Sequence, residues 1–413
     1  MKVTPLLPTK EYAPGIRAGR WIFATGHKGI AEFGGAMAPE VVDAAAPRYG
    51  EPRHKKEARR IFASFDKVLQ AGGASRKDVL RIDQYYTKPR AVDPYHEVRR
   101  EFFAGHIPPS TSNLHQRFLL DGQYIEVQLI AAVAEKGFEP QQHRPANLPV
   151  HATSGYSRVL TCGDYVFVAG QTSEALKTEE GPLDPEARMP AGHLWKGTPI
   201  KLEAEFVIKR KLKPALEGVG NTLDEVVKAQ VYLRDLDDIP AFNEVWHRHF
   251  GGNPPATSII PTSTPGFICE ASRIEINTIS VRKGGRTRKE AIDAEVPMPY
   301  AGQVQAVRAG ELLFLSNLMA VDARGALAVA RDVRPQMDAM LAAAERLCRK
   351  AGTTLANAVR IQQFHTDLAD FRAAAQVWQK HLPGQPLPYS AVEVPALGVP
   401  GAVVMLDLWV YVP

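Results

Sequence analysis

The chain has 413 residues, 45% of them hydrophobic and 23% charged, a composition that excludes wholesale disorder and collagen-like repetition and predicts two to four folded domains. Lys and Arg number 50 against 45 Asp and Glu, for a formal charge of +5; the densest basic run, Lys209, Arg210, Lys211 and Lys213, lies in a helical pattern and reads as a solvated helix face, so no nucleic-acid partner is expected. No apolar run approaches the roughly 18 residues needed to cross a bilayer, and MKVTPLLPTKEYAPG carries no signal pattern, so the expectation is a cytoplasmic protein with no membrane partner.

In chain order, the first predicted element is a strand at Trp21-Ile22-Phe23-Ala24. A long amphipathic helix follows, with Ala58, Ile61, Phe62, Phe65, Val68 and Leu69 on one face. Gly73 stands where a left-handed helix terminator is wanted. An alternating strand, a second helix over 95–103 and a closing strand at Tyr124-Ile125-Glu126-Val127 complete the unit. The same order recurs twice: strands at Tyr165–Val168 and Leu312–Leu315, terminators at Gly220 and Gly352, second helices over 239–250 and 371–382, and closing strands at Arg273–Ile276 and Val403–Leu406. Gly73 to Gly220 spans 147 positions, as does His96 to Asn243; Gly220 to Gly352 spans 132, as do Trp246 to Trp378 and Thr257 to Tyr389. A constant register over that length is an internal repeat. Each unit is predicted to be α+β, with helices on one sheet face. The domains are set at 1–140, 146–284 and 292–413, with linkers over 136–149 and 283–286. Insertions over 30–52 and 173–198 are read as surface loops.

Unit 2 resembles the Rid group (RidA/YjgF, reactive intermediate deaminases) over nearly its whole length. The resemblance rests on Ser154-Gly155-Tyr156, Val168-Ala169-Gly170-Gln171, the run from Leu223 to Lys228, Arg234-Asp235-Leu236-Asp237-Asp238, Phe242-Asn243-Glu244-Val245, Pro255-Ala256-Thr257-Ser258 and Ile274-Glu275-Ile276. Units 1 and 3 inherit it through the register. It implies three tandem chorismate-mutase-like domains forming an intramolecular pseudo-trimer with a central β-barrel and ligand clefts between units. A monomeric pseudo-trimer, or a dimer of it, is the expected assembly.

The resemblance also implies hydrolysis of enamines or imines, with a glutamate moving protons and an arginine gripping the substrate carboxylate. Carried over residue by residue, the glutamate falls on Glu126 and Glu275, but on Met405 in unit 3. The pocket tyrosine falls on Tyr12, Tyr156 and Gln303; the close-approach glycine on Gly26, Gly170 and Asn317; the asparagine on His96, Asn243 and Ala375. The arginine slot holds Thr111, Thr257 and Tyr389, so no unit keeps the carboxylate clamp. A neutral hydroxyl does not offset desolvation of a buried carboxylate. Small 2-imino acids are therefore disfavoured as substrates.

The expected principal set is Glu275 with Tyr156, Asn243, Thr257 and Gly170; the second is Glu126 with Tyr12, Gly26, His96, Thr111 and Asn113. Arg273 and Arg117 are candidate substitute cations, although the plainer reading of each is a solvent-facing strand arginine. For Glu126 and Glu275, strand alternation alone gives solvated, outward carboxylates; their recurrence at matching positions argues for a cleft. His27, His96 and His115 map near the unit 1 pocket without HxH or HExxH spacing, so no metal is expected. Cys162, Cys269 and Cys348 lie far apart and read as small packed hydrophobes, and no motif points to a cofactor. The expected function is a divergent Rid-type hydrolase or deaminase of a small nitrogen compound. A non-catalytic small-molecule binder is the alternative, and a ring-opening amidohydrolase using a Ser–Lys pair is a more distant one. Unit 3 reads as the chemically silent partner.

Overall fold

The computed structural model describes residues 2–42, 50–145, 148, 155–175, 182–267 and 269–413. Three mixed sheets follow one another along the chain. The first runs Val3–Leu6, Gly15–Ala18, Trp21–His27, Ile125–Ala132, Val79–Tyr86, Ser110–Leu114. The second repeats this order with Gln141–His143, Val159–Cys162, Tyr165–Thr172, Ile274–Val281, Val226–Leu233 and Ala256–Pro261. The third does so with Lys289–Ile292, Ala306–Ala309, Leu312–Leu315, Val404–Tyr411, Ala358–His365 and Tyr389–Glu393. A seventh strand on that sheet, Arg117–Phe118, comes from unit 1 and pairs Phe118 with Val392. Among the described residues these sheets stay separate, and no strand pairing closes them into the barrel that the resemblance implied.

In each unit the closing strand is central, antiparallel to both neighbours, and buried along its whole length. One parallel pair per sheet, such as Val79–Tyr86 with Ser110–Leu114, is bridged by the shorter helix. The long helix packs its apolar stripe on the same face: Ala58, Ile61, Phe65, Val68 and Leu69 join Ile125, Val127 and Leu129 in one cluster. Gly73, Gly220 and Gly352 adopt φ of +77°, +77° and +79°, the left-handed geometry that ends a helix without a Cβ clash.

The second long helix departs from its repeats. Glu203 stands 17 residues before Gly220, whereas Glu57 and Gln336 stand 16 before Gly73 and Gly352. The extra residue is absorbed in a π-helical turn over Val207–Leu212. This turn corrects the reading of the basic run. Lys211 is 3% exposed, and its Nζ donates to the Glu174 carbonyl at 2.7 Å. Its neighbours Lys209 and Arg210 remain outside, paired with Glu205 and Glu186. Part of the first insertion is also packed, with Ile30, Met37, Ala38 and Val41 in a small cluster of their own; residues 43–49 and 176–181 of the two insertions, and Ser154, lie outside the described residues. Of the cysteines, Cys162 and Cys348 are buried as expected, but Cys269 is half-buried, its Sγ on the Pro182 carbonyl.

The units touch in cyclic order through one repeated position. Arg81, Lys228 and Arg360 are spaced by the same 147 and 132 residues as the rest of the repeat. Arg81 Nη1 reaches the Val168 carbonyl of unit 2 at 3.4 Å. Lys228 Nζ reaches Asp407 Oδ1 at 2.8 Å and the Leu315 carbonyl at 2.7 Å, both in unit 3. Arg360 reaches Asp83 at 2.9 Å and Gln128 at 2.8 Å, both in unit 1. Each buried cation thus finds at least one partner in the next unit, although Arg81 is charge-paired with Asp83 of its own unit.

Candidate functional site

Glu275 sits on the central strand Ile274–Val281, opposite Tyr232 on one side and Thr172 on the other. Its strand is buried on both faces, so alternation does not turn it outward; it is 5% exposed. It faces unit 1. Asn113 Nδ2 lies 3.5 Å from Glu275 Oε2, and the Ser112 backbone hydrogen-bonds the carboxyl. A Cβ on Gly170 would fall 1.8 Å from Glu275 Oε1, so only glycine lets the backbone come this close. Burial pushes the Glu275 carboxyl up to about 8; the Ser112 hydrogen bond and Arg81 oppose this, while Asp83 and Glu174 add to it. Tyr156, in the same unit, accepts a hydrogen bond from Arg158 Nη1 at 2.8 Å. Ser112 and Asn113, which contact the Glu275 carboxyl, also line a cavity of about 420 Å³ together with Tyr86 of unit 1 and Pro265, Phe267 and Glu270 of unit 2; Glu275 itself stands behind that lining.

The strand register corrects the arginine slot of unit 1 from Thr111 to Ser110, because Ile82 pairs with Ser110 as Ala229 does with Thr257 and Ile361 with Tyr389. Ser110 Oγ accepts from Arg99 Nη1 at 3.1 Å, and the hydroxyl of Thr111, one place on, is also engaged. It accepts from Arg81 Nη2 at 2.8 Å and from Asn277 Nδ2 at 3.0 Å. Arg81 is itself chelated by Asp83, whose carboxyl the paired guanidinium groups of Arg81 and Arg360 hold below its ordinary range against the opposing effect of burial. Arg81, a buried cation, therefore stands one residue from the clamp position. It is on a neighbouring strand, where no motif of the sequence marks it.

The second glutamate belongs to a different junction. Glu126 is 0% exposed and lies between units 1 and 3. Ser390 donates its hydroxyl to Glu126 Oε1, Gln123 Nε2 donates to Oε2 at 3.3 Å, and Lys28 Nζ stands 3.7 Å from Oε2. Tyr12 donates to the Thr25 carbonyl at 2.5 Å, and its ring meets Tyr389 edge-on at 5.2 Å. A Cβ on Gly26, at φ +68°, would collide with the Tyr389 carbonyl at 2.2 Å. The third junction, between units 2 and 3, has Met405 in the glutamate position and a net of amides. Asn317 N–H donates to the Thr257 carbonyl at 3.2 Å, Asn317 Oδ1 accepts from Ile259 N–H at 3.2 Å, and Gln303 Nε2 reaches that same Thr257 carbonyl at 3.3 Å.

These contacts regroup the expected sets. Thr257 does not join Glu275; it faces Asn317 and Gln303. Thr111 and Asn113 do not join Glu126; they lie against unit 2, on the Glu275 side. The reason is the cyclic contact, by which the parallel edge strand of one unit meets the central strand of the next. Asn243 is half-buried on helix Ile239–Phe250 and is not among the partners of Glu275. Arg273 is not a substitute clamp: its Nε binds Asp238 at 2.7 Å and its Nη2 binds Asp235 at 3.2 Å. Arg117 pairs with Glu393 at 2.9 Å across to unit 3. The three histidines do not converge. His27 bonds the Pro14 carbonyl and packs on Phe65, while burial drives His96 down to about 2 and His115 down to about 3. Among the described residues no group of three His, Cys, Asp or Glu could hold a metal.

The sequence reading also missed a brace. Glu57 Oε1 accepts the Tyr124 and Ile125 N–H groups at 2.9 and 3.0 Å, directly before Glu126. Glu203 Oε2 accepts the Arg273 N–H at 2.8 Å, two residues before Glu275, and also the Ser173 hydroxyl. In unit 3 a glutamine does this, Gln336 Oε1 accepting the Val403 N–H at 2.9 Å. The acidic braces stand in the two units that keep the site glutamate.

The sequence model described as endoribonuclease L-PSP matches residues 3–133, 146–281 and 294–412. The chain belongs to this family, the Rid/YjgF group, in three tandem copies. A RutC family protein of Pyrococcus abyssi is 38% identical over 108 residues, covering 26% of this chain and 73% of the relative. A 2-iminobutanoate/2-iminopropanoate deaminase of Dermatophagoides farinae is 28% identical over 126 residues, covering 30% of this chain and 84% of that protein. Among solved structures, a putative endoribonuclease from Thermotoga maritima is 28% identical, with a TM-score of 0.28 and coverage of 35% of this chain and 99% of its own. No helix among the described residues is long and apolar enough to cross a membrane.

Proposed function

We propose that this chain is a Rid-type hydrolytic deaminase whose working cleft lies between units 1 and 2, with Glu275 as its proton-transfer group. The observation that carries this reading is the Glu275 carboxyl itself, buried at a unit junction, separated from a cavity by Asn113 and raised to about 8. A carboxylic acid that stays protonated at neutral pH can donate to an enamine carbon or an imine nitrogen. Its conjugate base then takes a proton from the water that adds to the C=N carbon. Glu275, protonated again by that step, delivers the proton to the adduct nitrogen and takes back the hydroxyl proton as the C–N bond breaks, leaving a carbonyl compound and ammonia.

With Ser110 in the clamp position and its neutral hydroxyl already bound by Arg99, the substrate is an enamine or imine without a carboxylate beside the reacting carbon. The cyclic contacts of Arg81, Lys228 and Arg360 support a single chain standing in for a trimer of separate subunits, with a monomer as the active form. Fusion then removes the concentration dependence of assembly and frees the three junctions to differ.

The test is ammonia release from neutral imines and enamines, compared with their 2-carboxylate analogues. Wild type is expected to favour the neutral compounds, Glu275→Gln to lose at least about tenfold in rate, and Glu126→Gln to keep most of it. Full activity in Glu275→Gln would overturn the assignment.

A further inference from the structure

Unit 3 lacks the site glutamate, yet one of its side chains reaches the group that surrounds Glu275. Arg360, on the strand Ala358–His365, is 1% exposed and crosses to unit 1. There Nη2 lies 2.9 Å from Asp83 Oδ2, and Nε donates to Gln128 Oε1 at 2.8 Å. Its guanidinium also covers the Trp409 ring of its own unit, 4.4 Å from the centroid. Asp83 holds Arg81 in turn, whose Nε and Nη2 are both 2.9 Å from Oδ1. From there Arg81 spans the junction of units 1 and 2. Nη2 donates to Thr111, the residue before the Ser112 and Asn113 contacts of Glu275. Nη1 donates to the Val168 carbonyl at 3.4 Å, where the sheet register shifts in the bulge that carries Gly170. A bulge re-aims the chain beside it, and this one brings Gly170 onto the Glu275 carboxyl.

Charge points the same way. Of the three repeated cations, Lys228 pairs with Asp407, whereas Arg81 and Arg360 share Asp83. Among the described residues no second carboxylate stands within ion-pair distance of either guanidinium. The acid at this position is peculiar to unit 1; units 2 and 3 carry Gln230 and Gln362 there. The buried set is therefore three cations and two carboxylates, and an ionised Glu275 brings it to neutrality. Besides Arg81 and Asp83, the titratable groups facing Glu275 are Glu174, which opposes its ionisation, and the Tyr156 phenol, which burial keeps neutral.

We infer that Arg360 is a positioning residue for the junction between units 1 and 2: through Asp83 and Arg81, unit 3 supplies the excess positive charge that supports the Glu275 carboxylate. This role presupposes Glu275 as the proton-transfer group, which passes through that carboxylate in each turnover. The experiment uses the full chain with ¹³C-labelled glutamate carboxyls; the Glu275 resonance is assigned through Glu275→Gln and followed against pH. Arg360→Gln is expected to raise its midpoint by at least about 0.5 pH unit, and Asp83→Asn to lower it. Arg360→Lys, which keeps the charge and matches unit 2 at this position, is expected to leave it near that of wild type. The alkaline limb of the ammonia-release profile is expected to move with the midpoint. An unmoved midpoint in Arg360→Gln, an equal shift in Arg360→Lys, or a limb that stays put while the midpoint moves would overturn the inference. If Arg360→Gln does not fold, Asp83→Asn carries the test by its opposite sign, and a midpoint that does not fall is the overturning result. The titration needs no turnover, so a wild type that releases no ammonia while its midpoint follows Arg360 counts against the deaminase reading alone.

Discussion

Glu275 ionises in the unfolded chain near its ordinary value of 4.5 and in the folded chain near 8. Between these values the folded protein binds a proton that the unfolded chain has released, so stability falls as pH rises from about 4.5 to about 8 and levels off above that. The slope from one such group is about 1.4 kcal/mol for each pH unit crossed. Glu57, pushed up to about 7 by burial, and Glu203, also raised by burial, contribute in the same direction. The comparison is therefore between wild type and Glu275→Gln, whose amide imitates the protonated acid. Urea unfolding at pH 5 and pH 8 is expected to show nearly equal stability at the lower pH and a more stable variant, by roughly 2–4 kcal/mol, at the higher. A variant no more stable than wild type at pH 8 would mean that the acid is solvated. At this scale the sequence was partly legible. Recurrence singled out Glu126 and Glu275, and each contacts a residue of a neighbouring unit, but which neighbours they met was not readable. Ser110 and Thr257 are alike in register, and only the cyclic docking assigns each to its junction.

Elements were more legible than side chains, because periodicity and terminators act locally. The three strand starts, the second helix over Ile239–Phe250 and the left-handed glycines follow from pattern alone. The π-turn was not anticipated, since a basic run on a regular helix keeps Lys211 with its exposed neighbours; one extra residue rotates it inward. The brace was hidden for a related reason: Glu57 and Glu203 look like ordinary polar positions until the helix docks on its sheet. Gln336 shows that an amide oxygen makes the same backbone contact. Glu203→Gln is accordingly expected to change stability by less than about 1 kcal/mol at neutral pH. Glu203→Ala strands the Arg273 N–H, while the Ser173 hydroxyl keeps Ser272, and is expected to cost roughly 1–3 kcal/mol in thermal or urea unfolding. Equal losses in the two variants would show that charge, and not the acceptor oxygen, is what the helix supplies.

For the molecule as a whole, the repeated cation position explains how three copies of one fold dock in a single order. Lys228 and Asp407 are almost fully buried, and the pair bridges two units. Two charges withdrawn from water return little net stability as a pair, yet either one alone is expensive, because its desolvation is then uncompensated. The geometry adds partners: Asp407 Oδ2 accepts from Gln230 Nε2 at 2.7 Å, and Lys228 also donates to Ser258 at 2.8 Å. A docking in the reverse order would bury Lys228 against Gln128, the residue at the Asp407 position in unit 1, and lose its counter-charge. The pair thus discriminates between arrangements more than it stabilises the correct one. A double-mutant cycle separates these effects. Asp407→Asn and Lys228→Met are each expected to lose roughly 3–5 kcal/mol in urea unfolding, and the combined variant to lose clearly less than their sum, a coupling of at least about 2 kcal/mol. Simple additivity would place the two residues in independent environments and remove the basis for an ordered, cyclic docking of the three units.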